Sequence, residues 1–190
     1  MSVVFANIIA REINGPNDKV IVGGSFIARA IFPNKYVDVV KQDCNTGDTI
    51  LVWNPCSLNH KLNQGQFNNK TTFVLSDTLS EIFVRANKVS SQAIDVTVDW
   101  KDGQDIVPER NILNLQHIAY ISDRPLDFLD YTDGMDLSKR GLGCEAGYIY
   151  ILVELEGVKR VLMRLEGDID DVAAQLCGGQ FLDDCEFVAV

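Results

Sequence analysis

Apolar and polar residues alternate along most of the chain, in short blocks rich in Val, Ile, Phe and Tyr that turn-forming residues separate. A period of two is typical of strands that bury one face, whereas helical spacing is scarce here. The pattern therefore predicts a mainly β fold with a minor helical part (α+β minor). The clearest predicted strands are Val3 to Ile13, Val20 to Phe32, Tyr36 to Gln42, Thr49 to Trp53, Thr71 to Leu75, Ile94 to Trp100, Ile112 to Leu115, Ile118 to Ser122, Tyr148 to Leu155 and Arg160 to Leu165.

Two short helices are predicted as well. Asp77 or Thr78 is placed to cap the first, and Asp168 to cap the second, because their side-chain oxygens accept hydrogen bonds from the free N–H groups of a first turn. The apolar positions of the two predicted helices are Leu79, Ile82 and Phe83 in the first, and Ile169, Val172, Ala173 and Leu176 in the second.

The two halves of the chain show the same order of parts. Three segments align without gaps: 31–40 with 112–121, 49–53 with 150–154, and 71–82 with 161–172. Each half also has a strand before these segments. The sequence therefore predicts two tandem β-meander plus short helix units packed together, residues 1–90 and residues 91–190. The alternative is one unrelated β fold with similar strands, because any two amphipathic strands align once they are in phase.

Length and cysteine content indicate a reduced, self-sufficient fold. At 190 residues and 46% hydrophobic, the chain can bury a substantial core without disulfides or a metal. Five cysteines lack CxxC spacing and form an odd number, which fits reduced thiols that serve as small buried hydrophobes. They are Cys44, Cys56, Cys144, Cys177 and Cys185.

The N-terminal sequence MSVVFANIIAREIN predicts a first strand. Its apolar run has no preceding Lys or Arg and no small-residue cleavage site, so it does not resemble a signal peptide. No window approaches the roughly 18 to 20 apolar residues that a membrane-spanning helix needs. We therefore expect a soluble protein that has no membrane partner and is not secreted by a signal peptide.

The net charge of −10 is unevenly distributed. Residues 1–90 carry nine Lys/Arg and seven Asp/Glu, a net charge of +2, whereas residues 91–190 carry eight and twenty, a net charge of −12. The acidic half repels phosphate, so nucleic acid is not an expected partner. The asymmetry suggests a head-to-tail contact between subunits; the alternative is an acidic surface that keeps the protein soluble.

Aspartates in the loop around residues 123–136 are candidate metal ligands, because calcium binds several oxygen ligands at short range. The segment DYTDGMD departs from the calcium-loop consensus at its second and third ligand positions and lacks the matching Glu. A solvated loop is therefore the main interpretation, and calcium binding stays open. The candidate ligands are Asp130, Asp133 and Asp136.

No catalytic site and no cofactor are predicted. Nucleophilic catalysis needs a base beside a Ser or Cys, and the chain has two histidines, His60 and His117. His117 is expected in a strand, at the position where the first half has Tyr36. His60 lies four residues after Cys56, but no third member of a catalytic group is evident.

Long loops at 54–70 and 122–147 distinguish the two halves, and they exceed the length of simple hairpin turns. Loops of this kind often carry the contacts with partners. The candidate partner-binding residues are Asn59, His60, Phe67, Phe128, Tyr131 and Met135.

The segments ILNLQHIAYI, YIYILVELEG and RVLMRLEGDIDDVAAQL resemble small β-rich modules of tailed bacteriophages. A similar layout is seen in the LytTR class of DNA-binding domains, but the basic residues of a DNA reader are missing here. The resemblance implies a virion component, such as a capsid decoration, connector or tail-associated protein, in the virion or the host cytoplasm. We therefore expect a non-enzymatic structural or assembly protein whose partners are other subunits, as a homo-oligomer or with capsid or tail proteins. The alternative is an acidic regulatory module or inhibitor that mimics nucleic acid.

Overall fold

The mainly β fold with a minor helical part is confirmed. The computed structural model describes residues 3–15, 18–20, 28–54, 71–102, 105–124, 126, 147–155 and 159–178. In the first half the elements are β1 Val3–Gly15, β2 Asp18–Val20, β3 Ala28–Pro33, β4 Val37–Gln42, β5 Thr49–Trp53, β6 Thr71–Leu75 and α1 Leu79–Ala86. In the second half they are β7 Ala93–Asp102, β8 Asp105–Asn114, β9 Ile118–Ser122, β10 Tyr148–Leu155, β11 Lys159–Glu166 and α2 Ile169–Leu176.

The strands form two antiparallel sheets. The large sheet has the order β11-β10-β9-β3-β1-β6-β5-β4, with β2 paired to β1, and the small sheet consists of β7 and β8. In the first half β1 pairs with both β3 and β6, whereas in the second half the corresponding strand β7 pairs with β8 alone among the described strands. The second half is therefore split between the two sheets.

Each of the aligned segments 31–40 and 112–121, which the pattern predicts as parts of two strands, contains a single 3-10 turn between its strands. The turns cover Asn34–Tyr36 and Leu115–His117, at aligned positions. His117 therefore lies in a turn and is exposed, so its predicted place in a strand was wrong. Pro33 precedes the first turn, and the side chain of Asn114 accepts a hydrogen bond from the N–H of Gln116 at the second.

Strand β8 is longer than the segment Ile112 to Leu115 that was predicted. It extends back to Asp105 because its backbone pairs with the whole length of β7. Its residues 107–110 are exposed, so no apolar alternation marks this part of the strand in the sequence. The segment predicted as one strand from Val20 to Phe32 overlaps the last residue of β2 and all of β3 but Pro33, and residues 21–27 lie outside the described residues.

Both predicted helices and their caps are confirmed. Thr78 caps α1 by accepting a hydrogen bond from the N–H of Glu81, whose carboxylate accepts one from the N–H of Thr78. Asp168 caps α2 by accepting a hydrogen bond from the N–H of Asp170. The reciprocal pair at α1 and the single bond at α2 satisfy N–H groups that have no partner within the helix.

Apart from β2, the described elements of the two halves follow the same order, and equivalent residues of α1 and α2 make equivalent contacts. In the first half, Arg85 on α1 donates a hydrogen bond to the carbonyl of Phe5 on β1. In the second half, Gln175 on α2 donates one to the carbonyl of Asp95 on β7 and accepts one from its N–H. Each residue of the second pair follows its counterpart by the same number of positions. This agreement favours the interpretation of the chain as a duplicated unit.

Two main apolar clusters lie on opposite faces of the large sheet. Strand β1 contributes to both, because alternate side chains of a strand point to opposite faces. Val4, Ala6 and Ile8 belong to the first-half core, whereas Val3 and Phe5 belong to the second-half core together with α2. The halves therefore share their interior.

Aromatic side chains also connect the halves. The ring of Trp53 on β5 lies 5.8 Å from that of Tyr120 on β9, in an edge-on arrangement. Phe32 and Phe73 lie within 6.4 Å of Trp53 between ring centroids. Edge-on and tilted pairs of this kind add to the free energy gained from burial alone.

A buried ion pair fixes α1 against β1. Arg85 and Asp77 are both almost fully buried and form a charged hydrogen bond. Asp77 also accepts hydrogen bonds from the backbone N–H of Asn7 at 2.7 Å and from its side-chain amide at 2.8 Å. These hydrogen bonds fix the positions of β1, α1 and the turn before α1 relative to one another.

We predict that Arg85→Met lowers the free energy of unfolding by about 3 to 5 kcal/mol, because it leaves the carboxylate of Asp77 buried without its cation. The double variant Asp77→Asn/Arg85→Met should recover a large part of this loss, because Asn keeps an acceptor for Asn7 and carries no charge. Urea denaturation measures both.

The matched control is Gln175→Met, the counterpart of Arg85 on α2. It removes two hydrogen bonds that are exposed to water, so the expected loss is about 1 kcal/mol. Equal stability losses in Arg85→Met and in the double variant would contradict the role assigned to the buried charge.

Candidate functional site

The residues predicted to bind partners or metal lie outside the described residues. These are Asn59, His60 and Phe67 of the first loop, Phe128, Tyr131 and Met135 of the second, and the candidate ligands Asp130, Asp133 and Asp136. Cys56, Cys144 and Cys185 lie outside as well. Their roles stay predictions.

Asp123, at the start of the second loop, belongs to an ion-pair group that joins the halves. Arg29 on β3 donates from Nε to Asp123 at 3.0 Å and from Nη1 to Asp170 at 3.0 Å. Its Nη2 lies 3.9 Å from the carboxylate of Asp168, and its backbone N–H donates to Asp123 at 2.8 Å. Three carboxylates of the second half thus surround one guanidinium of the first.

The surroundings of Arg29 favour its charged form. Burial acts to lower the pKa of Arg29, but the hydrogen bond to Asp123 and the charges of Asp170 and Asp123 outweigh it, so the pKa is raised. Arg29, Asp123 and Asp168 line a cleft of about 360 Å³, which we call the second-half cleft. The other residues that line it are Arg124, Gly147, Tyr148, Gly167 and Ile169. The ion pairs of Arg29 in this cleft therefore connect the halves.

Helix α1 presents apolar side chains to solvent. Leu79, Phe83 and Val84 are exposed, and together with Val40 on β4 they line an open groove of about 560 Å³. The sequence predicted Leu79, Ile82 and Phe83 as the apolar positions of this helix, but Ile82 is the one of the three that is buried. We call Leu79, Phe83 and Val84 the α1 apolar face.

The counterpart positions on α2 are buried. Phe83 is 60% exposed and Leu79 is 40% exposed, whereas their counterparts Ala173 and Ile169 are 1% and 0% exposed. Ile169 and Ala173 belong to a cluster that includes Ile31 from β3 of the other half. The same helix face is therefore covered in one half and bare in the other.

Strand β4 lies beside the α1 apolar face and ends the large sheet. Among the described strands it pairs with β5 alone, so no described strand lies along its outer edge. Val39 is exposed, and Val40 is half-buried. An edge strand beside an apolar patch is a surface on which a further strand can pair.

The sequence contained one signal for this surface. Residues 79–86 read LSEIFVRA, with apolar side chains on more of the helix circumference than one buried face requires. A single sequence does not show which of these side chains faces the core. The packing of α1 against β1 determines which side chains of the helix face the core.

The described residues contain no group of three or more His, Cys, Asp or Glu side chains that could hold a metal ion. Cys44 is exposed, which contradicts the expectation of a buried thiol, whereas Cys177 is buried. Among the described helices, none has the length and apolar character to cross a membrane.

No protein-family model, curated protein or solved structure matches the chain.

We predict that Arg29→Gln lowers the free energy of unfolding by about 1 kcal/mol, because it leaves Asp123 and Asp170 without their cation in a partly exposed cleft. The loss should shrink at high salt, which screens exposed charges. Urea denaturation at low and high salt measures it.

Arg110→Gln is the matched control, since Arg110 and Arg29 each lie two residues before the aligned segments 112–121 and 31–40. Arg110 contacts Asp95 at the surface, and this hydrogen bond lowers the pKa of Asp95. We expect no measurable change in stability at neutral pH. A larger loss in Arg110→Gln than in Arg29→Gln would contradict the assignment of Arg29 as the junction residue.

Proposed function

We propose that the chain is a non-enzymatic structural or assembly protein that acts by binding other protein subunits. The observation that carries the proposal is the α1 apolar face, which lies bare beside the outer edge of β4. Large exposed side chains such as Phe83 and Leu79 lose water-contacting area when a partner covers them, and this burial drives association.

The carboxylates that could have suggested catalysis support the same proposal. Asp77 is paired with Arg85, and Asp123 and Asp170 are paired with Arg29. These groups are engaged in holding helices and halves together. A carboxylate that acts as a general acid or base must instead lie within hydrogen-bond reach of a substrate.

The alternative of an inhibitor that mimics nucleic acid receives less support. It depends on carboxylates that face solvent as phosphates do, around residues 123–136 and 168–171. Asp123, Asp168 and Asp170 instead converge on the guanidinium of Arg29, which neutralises part of their charge. We therefore favour assembly, and the resemblance to phage modules extends the proposal to a virion component.

We predict that a photoreactive benzoylphenylalanine in place of Phe83 crosslinks to one specific protein in the cells or particles that contain the chain. Phe83 is exposed, so this aromatic replacement keeps the fold. Mass spectrometry of the crosslinked product identifies the partner, which can be a second copy of the chain or another structural protein.

The control carries the same photoreactive residue at Val107, an exposed apolar position on β8. Crosslinking at Phe83 should exceed crosslinking at Val107 by at least tenfold. Equal yields at the two positions would contradict the proposal that the α1 apolar face binds a protein.

A further inference from the structure

The contact that joins the two halves pairs one strand from each. Ala30 and Ile31 on β3 lie opposite Ser122 and Ile121 on β9, in an antiparallel ladder. Ile31 also belongs to the apolar cluster that contains α2. The internal junction thus has two parts: the pairing of β3 with β9, and an apolar side chain of β3 covered by the cluster of α2.

The counterparts of these two strands both lie at sheet edges. In the aligned segments β3 corresponds to β8, and β9 corresponds to β4. Among the described strands, β8 pairs with β7 alone and β4 pairs with β5 alone. Within the described part of the chain, β8 and β4 therefore each end a sheet at the edge where β3 and β9 pair with each other.

The side chains at these edges are exposed where their counterparts are buried. Ile31 is 0% exposed, and its counterpart Ile112 on β8 is 65% exposed. Ile121 is buried, and its counterpart Val40 is partly open and lines the groove of α1. The α1 apolar face repeats this difference, since the counterpart positions on α2 are covered.

The polar part of the junction has a counterpart as well. Arg29 lies in the second-half cleft, and its counterpart Arg110 on β8 is exposed. The corresponding first-half cleft, of about 570 Å³, has Gln42, Thr78 and Ser80 at the positions of Asp123, Asp168 and Asp170, and Asp48 also lines it. No Lys or Arg of the described residues lines it. The described lining of this cleft therefore offers Arg110 polar side chains and the carboxylate of Asp48 in place of the three carboxylates that surround Arg29.

We propose that β8 of one copy of the chain pairs antiparallel with β4 of a second copy, which places Ile112 against the α1 apolar face and Arg110 in the first-half cleft. Equivalence with the internal junction sets the register, with Ile112 opposite Val40 and Asn111 opposite Lys41. This inference rests on the proposed function and names the partner as a second copy.

The charges of the two halves favour this arrangement. It brings the half with a net charge of −12 against the half with a net charge of +2 of the next copy, so like-charged halves do not meet. Pairing of the acidic half with itself would instead be opposed by repulsion. The proposed contact therefore joins two different surfaces, the edge of β8 on one copy and the edge of β4 on the next.

The contact between copies is more polar than the internal junction. Phe5 is buried in the cluster of α2, whereas its counterpart on β7 is Asp95, which is paired with Arg110 at the surface. Less apolar area is therefore available, and the exposed charges are screened by salt. Association should be reversible, dependent on protein concentration and weaker at high salt.

Because the two surfaces differ, the contact is heterologous. Repetition of such a contact gives a closed ring if the rotation between copies closes, and an open chain if it does not. In either case each copy has one surface of each kind, and blocking one surface leaves the other able to bind.

The test uses two variants of the full chain, Ile112→Asp and Phe83→Asp. Both side chains are exposed, so both variants should fold, which circular dichroism and thermal melting check. Sedimentation velocity should show that the native chain associates as concentration rises, and that each variant alone stays monomeric. The matched control Val107→Asp, on the other face of β8, should associate like the native chain.

Mixing the variants provides the decisive measurement. Ile112→Asp keeps the α1 apolar face, and Phe83→Asp keeps the edge of β8, so a mixture has one intact contact per pair. We expect dimers that contain one copy of each variant and no larger species. Recovery of association also shows that neither variant had lost its fold.

Other outcomes separate this inference from the proposed function. A native chain that stays monomeric at its highest soluble concentration overturns the inference, as does association that Ile112→Asp leaves unchanged. Crosslinking from Phe83 to a different protein overturns it too, but leaves the proposed function standing. Equal crosslinking yields at Phe83 and Val107 would instead contradict the proposed function itself.

Discussion

The backbone pairing between β3 and β9 turns two sets of strands into one sheet. Through it, Ile31 on β3 becomes part of the second-half core, and Tyr120 on β9 becomes part of the first-half core. The hydrogen bonds themselves contribute modestly, because the unfolded chain makes equivalent bonds to water. Their main effect is positional: they align apolar side chains on both sides of the sheet, where burial supplies most of the stability.

Much of the fold was predictable from local pattern. Alternating apolar residues identified β1, β5 and β6, and the caps at Thr78 and Asp168 fixed where the helices begin. These features depend on residues close together in the chain. The 3-10 turns and the full length of β8 were missed, because a turn of three residues leaves no periodic signal and the exposed part of β8 has no apolar face.

The surface proposed for binding was not predictable in the same way. Leu79 and Phe83 have the helical spacing of core residues, and only the packing of α1 against β1 shows that they face solvent. Asp77 was one of two candidate caps, yet it pairs with Arg85 and Asn7, a contact across 70 positions of sequence for the latter. Contacts between distant segments decide both cases. The predicted loop candidates lie outside the described residues.

Fusion of two similar units in one chain makes their contact intramolecular. A short covalent connection sets an effective concentration on the order of millimolar, so a junction of weak intrinsic affinity is still fully formed inside the chain. The same kind of surface on a separate molecule has no such advantage and responds to how much protein is present. Under the proposed pairing of β8 with β4, the chain would have a permanent internal junction and a concentration-dependent one of the same geometry, so abundance alone would control the size of the assembly.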